Sequence, residues 1–179
     1  MRRIKYALPA LCLLLPLPAA ADEVRQSMTV DEAYKAIPHQ KTRFDPSSSA
    51  MVANEKQFLD SFFGLTDLAV AERVGLQMTI AGGIAARDNY DAILARLAAL
   101  TAPAKLAKAR QLVSEAVKEQ REYLRHLRAG ATFDANAPLV QSSHDKLIAA
   151  YGELMRIYPS ENAHNKKAFF DHLCALDFI

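Results

Sequence analysis

Two shortages mark this 179-residue sequence: it holds only two cysteines and six glycines. Two cysteines cannot build a disulfide framework or a cysteine-rich zinc site. Glycine is scarce beside 32 alanines, and no long alternation of polar and β-branched residues occurs, so no segment reads as a strand. Signatures of chemistry are also missing. Without Cys-x-x-Cys-His there is no covalent c-type haem, and without His-Glu-x-x-His there is no helical zinc-protease site. Neither a phosphate-binding glycine loop nor Gly-x-Ser-x-Gly occurs, and no nucleophile-base pair stands out. These gaps weigh against an enzyme.

What is present is a globular composition. A hydrophobic fraction of 51% and a charged fraction of 23% suit a folded chain, and the length suits a single domain. Three bases, Arg2, Arg3 and Lys5, precede an apolar run from Tyr6 to Leu17. Ala19, Ala20 and Ala21 then supply the small residues that a signal peptidase requires, so residues 1–21 read as a secretory leader cleaved after Ala21. The run is too short to cross about 30 Å of hydrocarbon, and Pro9, Pro16 and Pro18 interrupt the segment. Leu11, before Cys12, is too large for a lipoprotein signal. The style of the leader is bacterial, which places the mature protein in the periplasm or outside the cell.

Cleavage changes the charge arithmetic. The full chain has 22 basic and 20 acidic residues; removing three bases leaves 19 against 20, or −1 with histidine neutral. That balance gives no argument for nucleic acid as a partner. Cys174 alone remains, with no intramolecular disulfide partner.

Punctuation divides the mature chain into helices. Thr29 and Glu32 fit a capping box for a short helix that ends before Pro38, and a loop follows from His39 to Ser48. One helix is predicted over 49–63 and stopped by Gly64; a second, capped by Thr66, runs over 67–86. The second is apolar almost all round, which predicts deep burial, and Gly75 and Gly82 offer one face for close helix approach. Asp88 caps a third helix. Thr101 and Pro103 start the longest, which runs to Arg128 and is closed by Gly130. Its Leu106, Ala109, Val113, Ala116, Gln120, Tyr123 and Leu127 recur at three-four spacing, the seam of bundle packing. Helices over 138–158 and from Ser160 and Glu161 onward complete the chain, the last with Phe169, Phe170, Leu173 and Leu176 on one side. The pattern predicts an all-α fold. It is an antiparallel helical bundle with a four-helix core plus one or two extra helices, formed by 49–179 and wrapped by the N-terminal segment 22–48. No stable membrane span is expected, since the longest uncharged run, Val74–Ala86, is too short.

Several residues are candidates for binding. The series Val140, His144, Leu147, Tyr151, Leu154 and Tyr158 puts His144 in an apolar seam, and Gln120 holds a comparable place on the long helix. Such a polar pair binds a ligand, sets register, or is simply hydrogen-bonded in the core. His164 and Asp171 share one side of the last helix, opposite its phenylalanines, with His172 and Cys174 flanking it. The set reads as a solvated polar face, or as part of a transition-metal site completed from elsewhere. Met51 and His172 form an axial pair for non-covalent haem if the ends of their helices meet. The loop Pro38–Pro46 concentrates His39, Lys41, Arg43, Phe44 and Asp45 between prolines. It reads as an ordinary connection, or as a segment folded over the bundle with Phe44 as plug and Lys41 or Arg43 meeting an acidic patch or partner. The long helix carries seven bases and three acids over 105–128, a solvated face or a surface for an anionic partner.

Taken together, these features predict a periplasmic or secreted helical bundle that works without catalysis, as an accessory or protein-interaction module with a protein partner. The competing expectation is a bundle that binds haem or a transition metal. No cofactor is expected under the first.

Overall fold

The computed structural model describes residues 28–83 and 89–178. The expected leader, the residues just after it and the expected cap at Asp88 lie outside the described residues. Those described form six α-helices and no strand. Thr29 caps α1 (Val30–Ala36): its side chain accepts from the Glu32 N–H while the Glu32 carboxylate accepts from the Thr29 N–H, the reciprocal pair that the sequence predicts.

An irregular segment, residues 37–52, leads to α2 (Ala53–Ala81), a single helix of 29 residues. Gly64 therefore does not divide it. A glycine inside a helix costs about 0.5–1 kcal/mol, while its neighbours Phe62, Phe63 and Leu65 are buried at about 1.5–3 kcal/mol each. Burial wins over local propensity. Thr66, expected as a cap, instead turns its hydroxyl back onto the Phe63 carbonyl at 2.8 Å. The expected burial of the following stretch holds over Ala69 to Leu76 and then lapses, since Met78, Ala81, Gly82 and Gly83 are exposed. Gly82 is the exposed C-cap of α2, so it shares no helix-contact face with the buried Gly75.

The remaining helices are α3 (Tyr90–Ala99), α4 (Ala107–His126, entered through a 3-10 turn at Ala104–Leu106), α5 (Pro138–Ile157) and α6 (Ala163–Leu176). Pro138 at the first turn of α5 suits a position whose N–H has no helical partner. Asn162, rather than Ser160, caps α6 by accepting from the Asn165 N–H. Gly130, at φ 78, takes the left-handed turn after α4 and donates its N–H to the Ile80 carbonyl at 2.7 Å, fastening that loop to the end of α2.

Contacts fix the directions. Lys105 meets Glu55 at one end and Gly130 meets Ile80 at the other, so α4 runs parallel to α2. The His144–Asp177 contact makes α5 and α6 antiparallel. Ser49 meets Glu161, and Arg73 meets the Ala175 carbonyl, so α6 is also parallel to α2. The core runs through Phe62, Phe63, Leu106, Leu147, Leu154 and Phe169.

Candidate functional site

The densest polar cluster lies where the 38–49 segment crosses α2 and α6. This segment acts as a strap. The α6 side chains hold its main chain: Thr42 N–H donates to Asp171 at 3.2 Å, and His164 Nε2 meets the Arg43 carbonyl at 2.9 Å. Asn165 contacts Asp45 twice, accepting from its N–H at 2.8 Å and donating to its carbonyl at 3.0 Å. Between these ties Phe44 is buried against Phe63 and Phe169, with ring centroids 5.9 and 6.1 Å away. At the far end Ser49 donates to Glu161, and Asn162 donates to the Ser48 carbonyl. Ser47 and Ser48 donate around Asp45 and close its turn. The hydroxyl of Ser47, then that of Ser48, holds the carboxyl down at about 2.

Asp67 on α2 joins three segments. Its Oδ1 accepts from the Tyr34 phenol at 2.8 Å and lies 2.7 Å from His172 Nδ1, while Oδ2 lies 3.7 Å from Lys41. Lys41 also sits over the Tyr34 ring, and His172 stacks on Phe63 at 4.6 Å. Burial, with the Asp67 charge second, pushes the Tyr34 phenol well above its ordinary range. Asp171 and His172 are buried, which corrects the expectation of a solvated face for these two, while His164 on the same side stays exposed as it meets the Arg43 carbonyl. Phe170 is the converse case. It is 47% exposed and leans on Tyr151 rather than joining Phe169 in the core.

Cys174 Sγ lies 3.7 Å from His39 Nδ1, at the edge of the same cluster. Burial raises the thiol pKa, and the charges of Asp177 and Asp171 add to the shift, so the thiolate is disfavoured. Of the five loop candidates, Phe44, Lys41, Asp45 and His39 thus make contacts inside the chain, and Arg43 keeps its side chain outward.

The seam candidates separate. Gln120 is fully buried, but its amide donates to Ser143 Oγ at 3.2 Å and to the Leu176 carbonyl at 2.8 Å, not to His144. The α5 seam keeps Val140, Leu147, Leu154 and Tyr158 of the expected series, while Ser143 and Ala150 are buried in place of His144 and Tyr151. Ser143 therefore faces in, and His144 lies at the rim, 2.5 Å from Asp177. Nearby, buried Arg73 donates to Gln77 and to the Ala175 carbonyl and lies over the Phe178 ring; burial lowers its pKa.

Met51 and His172 are not brought together. His172 contacts Asp67, and at 1.5 Å per residue that point of α2 is about 20 Å from its Met51 end. The union of two expected helices removes one chain reversal, which leaves α2 and α6 parallel and their like ends together. One Glu-x-x-His spacing does occur, Glu161–His164, whereas a di-iron carboxylate site needs two. Glu161 instead accepts from Ser49 and Asn162, and His164 holds the strap. Among the described residues no group of three or more His, Cys, Asp and Glu side chains is arranged for a metal ion. None of their helices is long and apolar enough to cross a membrane.

The bases of α4 are largely engaged too. Arg110 donates to carbonyls at the end of α3, Arg121 pairs with Asp91, and Lys105 pairs with Glu55 beneath the Tyr158 ring. A surface left open is a groove between α2 and the end of α3. Asn54, Gln57, Ser61, Gly64 and Leu68 line it from α2 at alternating spacings of three and four, facing Arg96, Ala99 and Leu100. Its wider part is a cleft of about 530 Å³. An added Cβ on Gly64 would meet nothing within 4 Å, so the missing side chain serves no contact within the protein. Comparison with protein-family models, curated proteins and solved structures returns no match for this chain.

Proposed function

We propose that the protein is exported to the periplasm and works there as a non-catalytic accessory or interaction module that binds a helix of a partner protein. Its body in this reading is a helical bundle with a four-helix core of α2, α4, α5 and α6, in which α5 runs against the other three, wrapped by α1 and the strap. The observation that carries the reading is the α2–α3 groove. Gly64 leaves the centre of the groove open at a cost to α2, room that an anchor side chain of a docked helix fills. Supporting it is the engagement of the other candidates, His39, Lys41, His144, His172 and Cys174, in contacts within the chain. Export is supported by the basic, apolar and small-residue order of the leader.

Two experiments test the proposal. N-terminal sequencing of the exported chain should begin at Asp22. A photo-crosslinking amino acid at position 64 should yield one discrete adduct in the periplasm, and the same group at exposed Lys118 on α4 should not. Identical adduct patterns at the two positions would overturn the groove as the binding surface.

A further inference from the structure

The strap and the α2/α6 face beneath it together resemble a bound peptide more than a packed element. Residues 37–52 form no helix or strand, and α6 contacts the main chain of residues 42, 43 and 45 through side chains. Asn165 reads one residue at both its N–H and its carbonyl, which fixes direction as well as position. One aromatic anchor, Phe44, fills a pocket between Phe63 and Phe169. Charge matches as well: the α2/α6 face offers the carboxylates of Asp67 and Asp171, and the strap brings Lys41 and the Thr42 N–H. Main-chain bonds for affinity, one pocket for an aromatic and one acidic contact for a lysine are the parts of an extended-peptide site.

We infer that the face of α2 and α6 beneath residues 41–46 is a peptide-recognition site, filled in cis by the strap and able to take an extended segment of the same chemistry in trans. The partner segment carries a lysine and, three residues later, an aromatic side chain, with its main chain extended between them. Recognition through the main chain of Thr42, Arg43 and Asp45 leaves the Thr42 and Arg43 side chains free to vary, while the Asp45 carboxylate closes the segment's own turn. The strap holds the site closed because a tethered segment competes at high effective concentration. This site lies on a different face from the α2–α3 groove and does not depend on it.

A synthetic peptide of residues 38–49 tests the inference against the full chain carrying Phe44→Ala, which weakens the cis strap without altering the α2 and α6 side chains beneath it. The labelled peptide should bind this variant in fluorescence anisotropy and raise its melting temperature. The same peptide with its own phenylalanine replaced by alanine should bind at least about tenfold more weakly, as should the original peptide to a Phe44→Ala chain that also carries Asn165→Ala. Should Phe44→Ala fail to fold, a protease site inserted at Ala50, exposed where the strap joins α2, gives the second measurement. Cleavage there leaves the strap joined to the rest of the fold only through α1, so excess labelled peptide should displace it from the α2/α6 face. Binding that ignores the peptide's phenylalanine, or no binding to the variant and no exchange in the cleaved chain, would overturn the inference. Either result leaves the crosslinking outcome at position 64 unaffected.

Discussion

Asp45 shows how one side chain can hold a loop. Its carboxylate accepts from the N–H and hydroxyl of Ser47, and these bonds with Ser48 hold its pKa at about 2. A carboxyl whose folded pKa lies below its unfolded value of about 3.9 stabilises the fold fully above that value. The contribution is lost as pH falls toward 2, because only the unfolded chain binds the proton readily over that interval. The Ser47 amide should therefore keep its native NMR shift down to about pH 3 and lose it in a transition centred near pH 2, while Asp45→Asn should flatten that transition. A transition centred near pH 4 would contradict the turn's effect on Asp45. Cys174 has the opposite sign. Burial keeps its thiol protonated, with Asp177 and Asp171 adding to the effect. At pH 8.5, iodoacetamide should modify the folded chain more slowly than the urea-unfolded chain. Equal rates would show that the native thiol is neither shielded nor shifted.

Among the elements, α2 departs furthest from a local reading. Gly64 is exposed, and a Cβ there meets nothing, so Gly64→Ala should stabilise the protein by about 0.5–1 kcal/mol in urea unfolding. A loss of stability would mean that the groove is packed in solution. The same position explains what the sequence could and could not reveal. Capping at Thr29, the start of α5 at Pro138 and the stop at Pro159 were legible because each depends on residues adjacent in the chain. Continuity through Gly64 was not, because it depends on burial against other helices. The strap was partly legible, since an aromatic between two prolines suggested a plug, and Phe44 is one. The partners of the strap were not. Asp171 and His172 stand on a side of α6 that periodicity assigns to water, and only the fold brings residues 38–49 across it. Asn165 and Asp67 carry no local motif, so nothing in their surroundings marked them. For Gln120, seam position gives burial correctly, while the place between Val140 and Leu147 on α5 falls to Ser143 rather than His144, which makes Ser143 its neighbour.

Across the whole molecule, Asp67 is where distant parts of the chain are joined. It ties Tyr34, Lys41 and His172 to α2, with Tyr34 and His172 buried. Asp67→Ala would leave a phenol and an imidazole without their acceptor in a site shielded from water. That should cost about 3 kcal/mol, the scale for breaking a buried hydrogen-bonded ion network. Asp31 provides the contrast: it meets the same Lys41, but its side chain is 84% exposed, so Asp31→Ala should cost at most about 1 kcal/mol. Asp67→Asn should fall between the two, since its amide oxygen still accepts from Tyr34 while the charge opposite Lys41 is lost. Urea unfolding of the three variants gives the order directly. A double-mutant cycle of Asp67→Ala with His172→Ala then separates their coupling from the stacking of His172 on Phe63. If Asp67→Ala cost no more than Asp31→Ala, the strap and α1 would be held by apolar contact alone. Their polar ties would then serve placement rather than stability.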